Sequence, residues 1–364
     1  MTPAGSGLGA GSGLGAAASA APGAGAASVP GVASVPGAVS VPGAVSVLGG
    51  VSMPGTVSVH GDPAAVADPD VAALLAREAA AGLPPLSSLD PWSARAQDAL
   101  IQGRRAVGVP LPRVASADGG LLAGVPVQVV TPLGHGPFPV VVHLHGGGWV
   151  VGSPTTYDLP VRRLAVDAGA VVVDVDYRLA PEHPYPAALD DGWAVLQEVA
   201  TWGVPVGVAG DSGGGALAAA LTLMARTASL VLAGQLLTYP SVSLVQAWPS
   251  WRECASGGGL EPADSRWFAD CWAPAPLDRA NPLISPMVAD SLAGLPPAVV
   301  AVAARDPLRD GGLAYAARLY AEGVPVSVIV AAGQVHGYLQ MPGLVGADAA
   351  VASAHAGFGL LLHA

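Results

Sequence analysis

The most informative absence in this sequence is lysine, because all 15 basic residues among the 364 are arginine. Schiff-base enzymes and P-loop phosphate-binding proteins both depend on a lysine amine, so the sequence excludes both classes. The net charge of −11, with arginines in nothing larger than pairs, also argues against a nucleic-acid partner. Phosphate binding needs a basic surface, and the sequence provides none.

Cysteine is also scarce, with only Cys254 and Cys271 present. Two cysteines cannot build a disulfide framework, and the sequence leaves open whether they pair with each other. No grouping of Cys and His residues has the spacing of a zinc site. The first arginine is Arg77, so the start of the chain lacks the basic region of a secretory signal. No run of about 18 apolar residues predicts a membrane span. We therefore expect a cytoplasmic protein with no membrane partner.

Residues 1–62 consist almost entirely of Ala, Gly, Val, Ser and Pro and contain a repeated hexapeptide. The repeats read AASVPG, VASVPG, AVSVPG, AVSVLG, GVSMPG and TVSVHG. A segment almost without aromatic or long aliphatic anchors cannot bury enough apolar surface to offset the entropy of ordering it. We predict a low-complexity disordered tail over 1–62. An elastin-like or anchoring tail, or translation from Met53, are the alternatives.

The rest of the chain, residues 63–364, predicts one α/β domain. After about residue 108, short Val-rich runs alternate with segments of helical length. Unbroken apolar runs are typical of strands buried on both faces of a parallel sheet, so we expect a doubly wound βαβ core. The predicted strands are 125–131, 139–145, 170–176, 205–209, 231–239, 298–304 and 325–331, and the predicted helices are 161–168, 187–200, 214–226 and 312–322.

Two further segments are predicted to form a cap over a site on this sheet. Residues 63–105 contain two helical stretches whose Leu and Trp side chains, Trp92 and Leu100 among them, form a pattern that buries one helix face. Residues 243–282 interrupt the alternation of strands and helices with four tryptophans among polar residues.

Ser212 lies in Gly-Asp-Ser-Gly-Gly (210–214), the only G-x-S-x-G pattern in the chain. A predicted strand ends just before it and an Ala-rich helix begins just after it. A serine on such a turn is held with its hydroxyl exposed above the sheet, where it can act as a nucleophile. The N–H of Gly213 opens the helix, where unpaired N–H groups favour the negative charge of a tetrahedral intermediate. The alternative is a structural glycine-rich turn.

A second glycine-rich segment, His-Gly-Gly-Gly-Trp (145–149), follows a predicted strand. Consecutive glycines let the chain turn so that their N–H groups point into a cavity and complete an oxyanion hole with Gly213. His143 and His145 have no third ligand of matching geometry, so we predict no metal and a turn-stabilising role for His145.

Chain order selects the base and the acid among eight histidines and many carboxylates. In a hydrolase with this turn, the order is Ser, then acid, then His, each on a loop past the end of a strand. His336 meets that condition, whereas His355 falls within the terminal helix. Asp306 directly follows a predicted strand, whereas Asp310 lies at a predicted helix start, where it can cap the helix or pair with Arg309.

Taken together, residues 68–363 resemble the hormone-sensitive-lipase-like family of bacterial carboxylesterases in the α/β-hydrolase superfamily. The motifs are HGGGW (145–149), DYRLAPEHPYPA (176–187), GDSGGG (210–215), SPMVAD (285–290), DPLRD (306–310) and HGY (336–338). The resemblance implies an α/β-hydrolase fold, a mostly parallel eight-stranded sheet and a helical cap. It implies a triad of Ser212, Asp306 and His336. The implied oxyanion-hole donors are the N–H groups of Gly147, Gly148 and Gly213.

The resemblance implies hydrolysis of short- to medium-chain carboxylic esters through an acyl-enzyme, with no cofactor. An amide or aryl-formamide hydrolase with the same triad, or a non-catalytic small-molecule receptor, are the alternatives. The chain departs from the family pattern at Gly213, Gly311 and Tyr338, where Ala, Glu and Phe are usual. None of these departures removes a catalytic group. The sequence leaves the oligomeric state open, a homodimer included.

Overall fold

The computed structural model describes residues 45–46, 56–60 and 67–364 of the chain. Most of the predicted low-complexity tail, residues 1–62, lies outside the described residues. Two short pieces of that tail, Val45–Ser46 and Thr56–His60, are strands. For the other residues of the tail, the prediction of disorder lies outside the described residues.

A single sheet forms the centre of the described part of the chain, in the order β1-β2-β10-β9-β8-β7-β5-β6-β4-β3. Its pairs are parallel except for β3–β4 and β4–β6. Strands β3 to β10 are the eight strands of the predicted α/β-hydrolase sheet. The strands are β1 Val45–Ser46, β2 Thr56–His60, β3 Ser116–Leu122, β4 Val125–Thr131, β5 Val140–Leu144, β6 Val171–Val175, β7 Val206–Asp211, β8 Gly234–Thr238, β9 Ala298–Arg305 and β10 Val326–Val335.

The central Val-rich strands β5, β6 and β7 are buried on both faces, as their sequence predicts, whereas β4 is only partly buried. Every residue of β5 is buried, and alternate valines belong to different apolar cores. Val140 and Val142 contribute to one core, whereas Val141 contributes to the other. Strand β3, with its two glycines, escaped prediction because it lacks this pattern and lies at the sheet edge.

Helices cover both faces of the sheet. Helices α4, α5 and α8 contribute to one core, and α3 and α9 contribute to the other. The helices are α1 Pro69–Ala80, α2 Pro91–Ala106, α3 Pro154–Ala168, α4 Ala187–Val199, α5 Ser212–Thr227, α6 Ser250–Glu253, α7 Pro262–Trp272, α8 Arg309–Ala321 and α9 Val345–Leu362, with short 3₁₀ turns at Leu86–Ser88, Ala200–Trp202, Pro286–Val288 and Tyr338–Gln340.

Within the described residues, α9 is the one helix long and apolar enough to cross a bilayer by length and composition, with a mean hydropathy of 1.4. It is the terminal helix in which the sequence placed His355. Its buried face, which includes Ala350, Ala354 and Phe358, packs in the second core together with α3. This packing is that of a core helix.

Strand β2 pairs in parallel with β10, and Val57 lies opposite Val328. The sequence Thr-Val-Ser-Val-His is rich in β-branched residues, which favour strands. The edge of β10 would otherwise leave its backbone N–H and C=O groups unpaired on that side, and β2 supplies their partners. This pairing is the physical reason that Thr56–His60 forms a strand.

The N-terminal helices dock on the domain in part as predicted. Val71 of α1 is fully buried and packs with Val335 and Met341, and Ala94 of α2 reaches the main core. The prediction that Trp92 and Leu100 lie on the buried helix face is wrong, because their exposed fractions are 72% and 45%. They lie on the outer side of α2, and the side chain of Arg95 packs over the Trp92 ring.

Candidate active site

Ser212 is the first residue of α5 and directly follows β7. Its φ is +53°, in the left-handed region that costs a non-glycine residue about 1–3 kcal/mol. The tight turn also requires glycine at 214, because a Cβ there would lie 2.0 Å from the Leu144 carbonyl oxygen. The strand-turn-helix context predicted for the G-x-S-x-G pattern is therefore present.

The three residues predicted as a triad lie in one hydrogen-bonded chain. The Ser212 Oγ is 2.9 Å from the His336 Nε2, and the His336 Nδ1 is 2.8 Å from the Asp306 Oδ2. Asp306 follows β9 and His336 follows β10, so the loops at the ends of three parallel strands bring them together. A neutral imidazole held in this way can accept the serine proton and give it to a leaving group.

Backbone contacts fix the orientation of this base and acid. The backbone N–H of His336 donates to the Gly258 carbonyl at 2.8 Å. The Asp306 carboxylate is fully buried, and its Oδ1 accepts from the Leu308 N–H at 2.8 Å. The Tyr239 ring lies 4.7 Å from the His336 ring, a contact that the sequence did not predict.

The rejected candidates lie in other surroundings. Asp310 pairs with Arg309 at 2.8 Å, as predicted, and accepts from the Ser250 N–H at 2.9 Å. It lies within the first turn of α8, whose N-cap is Leu308, so the alternative capping role is wrong. His355 is buried in α9, with its Nδ1 3.1 Å from the Asp167 carboxylate.

Gly147 and Gly148 line the same cavity as Ser212 and Gly213. Their φ values are +110° and +58°, which favour glycine. Side chains would also collide, since a Cβ on Gly147 would lie 2.2 Å from the Val151 carbonyl oxygen and one on Gly148 would lie 2.2 Å from the Phe268 ring. Bare backbone amides therefore form the wall opposite the serine.

Asp211, which the sequence analysis did not single out, joins the two glycine-rich segments. Its Oδ1 accepts from the Gly146 N–H at 2.8 Å, and its Oδ2 accepts from the Tyr157 hydroxyl at 2.9 Å. Burial raises the pKa of Asp211, and its hydrogen-bond donors oppose that rise. The signal was present, because Asp211 is the variable residue between Gly210 and Ser212, but its partners lie more than fifty residues away.

His145 is buried beside the turn that it was predicted to stabilise. Its Nδ1 donates to the Gly146 carbonyl at 2.8 Å, and its ring stacks on Tyr177 at 4.3 Å. The Tyr177 hydroxyl donates to the His145 carbonyl at 2.7 Å. Burial lowers the pKa of His145, which favours the neutral form of the ring. Across the described ranges, no group of three or more His, Cys, Asp or Glu side chains could hold a metal ion.

The cavity above Ser212 has a volume of about 180 Å³. Both predicted cap segments contribute to its wall, Leu86 and Ile101 from the first and Leu260 and Phe268 from the second. Trp149 lies in the wall and stacks on Trp272 with ring centroids 4.1 Å apart.

Cys254 and Cys271 are both free thiols.

The three departures from the family pattern each lie beside an aromatic ring. A Cβ on Gly213 would lie 3.1 Å from the Trp149 ring, and one on Gly311 would lie 3.1 Å from the Trp248 Nε1, so side chains at both positions would pack closely against tryptophan. Tyr338 is buried, with its ring 5.1 Å from that of Tyr239, and nothing in the structure explains its hydroxyl.

Comparisons with known proteins agree with this geometry. A family model described as the alpha/beta hydrolase fold matches residues 141–340. The chain is similar to Esterase LipI of Mycobacterium tuberculosis, with 47% identity over 221 residues, which are 57% of this chain and 68% of that protein. It is also similar to Carboxylesterase NlhH of the same species, with 41% identity over 251 residues, which are 65% of this chain and 77% of that protein. Among solved structures, a thermostable esterase from Pseudomonas putida has a TM-score of 0.77 and 34% identity, covering 82% of this chain and 98% of that one.

Proposed function

Because this chain belongs to the hormone-sensitive-lipase-like family of α/β-hydrolase carboxylesterases, we propose that it is a serine carboxylesterase with Ser212 as its nucleophile. The observation that carries the proposal is the continuous hydrogen-bonded chain from Ser212 through His336 to the buried Asp306. The enzyme hydrolyses carboxylic esters. The reaction consumes only ester and water, so it requires no cofactor.

The mechanism follows from the position of each group. His336 accepts the Ser212 proton while the serine oxygen attacks the ester carbonyl carbon, and Asp306 stabilises the imidazolium that forms. The N–H groups of Gly147, Gly148 and Gly213 stabilise the oxyanion of the tetrahedral intermediate. The imidazolium then protonates the leaving alcohol, which leaves an acyl-enzyme. Water, deprotonated by His336, hydrolyses that intermediate and restores the serine.

The cavity supports short- to medium-chain esters as substrates. Its volume of about 180 Å³ lies below the roughly 300–1,000 Å³ common for small-molecule pockets. The cavity wall includes the Phe268 ring and Trp149, which stacks on Trp272 behind it. Acyl chains longer than about ten carbons would extend beyond a pocket of this size.

Substitution of the nucleophile tests the proposal. We expect Ser212→Ala to lower kcat for p-nitrophenyl butyrate by at least roughly four orders of magnitude while the melting temperature is retained, because no other group can form the acyl-enzyme. Ser116→Ala, in the edge strand β3, serves as the matched control and should keep the wild-type rate. An organophosphate should label Ser212 alone, as read by peptide mass spectrometry.

A folded Ser212→Ala protein that retains half of the activity would overturn the proposal, as would labelling of a different serine. Ester and anilide substrates with the same acyl group, assayed side by side, separate an esterase from an amide hydrolase. Hydrolysis of neither substrate would favour the receptor alternative.

A further inference from the structure

One face of α2 lines the catalytic cavity, and it is mostly polar. Asp98, Ile101, Gln102 and Arg105 follow each other at the three- and four-residue spacing of one helix face, and all four lie in the cavity wall. A pocket that receives only hydrocarbon would be lined by apolar side chains here. The face therefore points to a substrate group that is polar.

Asp98 is the member of this face whose charge is not balanced by a neighbour. Gln102 donates from its Nε2 to the Asp98 Oδ1 at 3.1 Å. Arg105, on the next turn, is bound by both oxygens of Glu78, at 2.7 and 2.8 Å. In the part of the chain that the structure describes, Asp98 forms no ion pair of its own. Burial raises the pKa of Asp98, in spite of Gln102, Arg105 and the Gly152 N–H.

The cavity wall also contains the carboxylates of Asp211 and Asp264. Both oxygens of Asp211 accept hydrogen bonds from the protein, and the Oδ1 of Asp264 accepts from the Ser87 N–H at 2.9 Å. Because Glu78 neutralises Arg105, the cavity wall carries an excess of negative charge. Asp98 contributes to that excess from the α2 face.

An unbalanced carboxylate in this cavity has a consequence for ester hydrolysis. Asp98 lines the same cavity as Gly147, Gly148 and Ser212. The field of its negative charge therefore opposes the negative oxyanion that must form beside these glycines. A positive group on the substrate, placed beside Asp98, would remove that penalty.

We propose that Asp98 is a specificity-determining residue that selects esters carrying a cationic group, such as a quaternary or protonated amine, over neutral esters of the same shape. This inference rests on the proposed esterase function. It names the substrate class of the same site, with the cation lying against α2 and the ester carbonyl lying at Ser212.

Pairs of substrates that differ only in charge test the inference. Butyrylcholine and 3,3-dimethylbutyl butyrate place a quaternary nitrogen or a quaternary carbon in the alcohol. The p-nitrophenyl esters of 4-(trimethylammonio)butyrate and of 5,5-dimethylhexanoate place the same two atoms in the acyl chain. The readout is the ratio of kcat/KM for the cationic ester to that for its neutral partner, in the wild type and in Asp98→Asn.

We expect Asp98→Asn to lower this ratio by about tenfold for at least one pair, the size of one partly screened charge interaction. Turnover of the neutral ester should rise, because the charge that opposes the oxyanion is gone. Asp98→Glu keeps the charge and should keep a ratio above that of Asp98→Asn. Asp118→Asn, on the exposed edge strand β3, changes the net charge equally and should leave every rate unchanged.

An unchanged ratio in Asp98→Asn for both pairs overturns the inference while the esterase function stands, as long as the wild type hydrolyses the neutral esters. An equal fall of the ratio in Asp118→Asn also overturns it, because the effect would then come from net charge alone. A wild-type protein that hydrolyses none of the four esters overturns the proposed function and the inference together.

Discussion

At the residue scale, the acid loop after β9 offers two carboxylates with different surroundings, and their substitution separates a catalytic role from a structural one. We expect Asp306→Asn to lower kcat by about 10³-fold or more, because an amide cannot hold the His336 tautomer that accepts the serine proton. Asp310→Asn should cost less than about tenfold, since it weakens only the contacts to Arg309 and the Ser250 N–H. Steady-state kinetics on one p-nitrophenyl ester measure both variants.

Equal losses in these two variants would show that the loop, and not the carboxylate, is what matters. The melting temperature of each variant is the control. Asp306 is buried with bonds to His336 and Leu308, so some loss of stability is expected there. A large fall in kcat with an intact fold identifies the orienting acid.

The site residues differ in how far the sequence alone reveals them. Ser212, Asp306 and His336 could be predicted because strand order and motif order fix where each loop lies. Asp211 and Tyr239 could not, because their roles depend on partners that only the folded sheet brings close. Asp98 escaped for the same reason. Helical spacing shows which residues share a face of α2 with Asp98. Which face of α2 lines the cavity depends on how the helix docks on the domain, and the sequence does not show that.

At the scale of elements, Arg95 attaches α2 to the domain. Its guanidinium donates to the Val150 and Ala180 carbonyls at 2.8 and 2.9 Å and pairs with both oxygens of Glu182. We expect Arg95→Ala to lower the free energy of unfolding by about 1–3 kcal/mol, because two carbonyls and a carboxylate lose their donor. KM should rise as well, since α2 carries part of the cavity wall. Denaturant unfolding and ester kinetics measure the two effects.

Arg104→Ala is the matched control, because Arg104 lies on the same helix, is exposed and forms no ion pair within the described residues. Its loss should change the free energy of unfolding by less than about 0.5 kcal/mol. Equal effects of the two substitutions would show that Arg95 contributes only its charge, and that the docking of α2 rests on apolar contacts alone.

Element boundaries show which signals the sequence carries. Strands β4 and β9 were predicted almost to the residue. In β9 both faces are buried and select valine and alanine, whereas β4 is only partly buried and was found from its valines. Helix α3 begins seven residues before the predicted start at 161. It opens with a Ser153–Thr156 capping box and a proline at its first position, and the apolar pattern begins only later.

At the scale of the whole molecule, truncations from the N-terminus distinguish the parts of the chain that the domain needs. A chain that begins at Met53 should keep the wild-type turnover and melting temperature. It retains β2 and, of the strand pairing described in the structure, loses the two residue pairs of β1. A chain that begins at residue 63 also loses β2 and exposes an edge of β10, so we expect a lower melting temperature with turnover retained.

A chain that begins at residue 106 should lose both stability and selectivity. The deletion of residues 1–105 removes the buried Val71 and Ala94. It also removes the Asp68 carboxylate, which accepts at 2.6 Å from the Nε2 of Gln334, and Gln334 lies two residues before His336. It also removes Leu86 and Ile101 from the cavity wall, so water reaches the acyl-enzyme and the wall no longer limits chain length. Melting curves and a panel of p-nitrophenyl esters of increasing acyl length measure the outcome. If this shortest chain kept the wild-type chain-length profile, the first cap segment would not define the pocket, and the limit on acyl length would have to come from residues 243–282 alone.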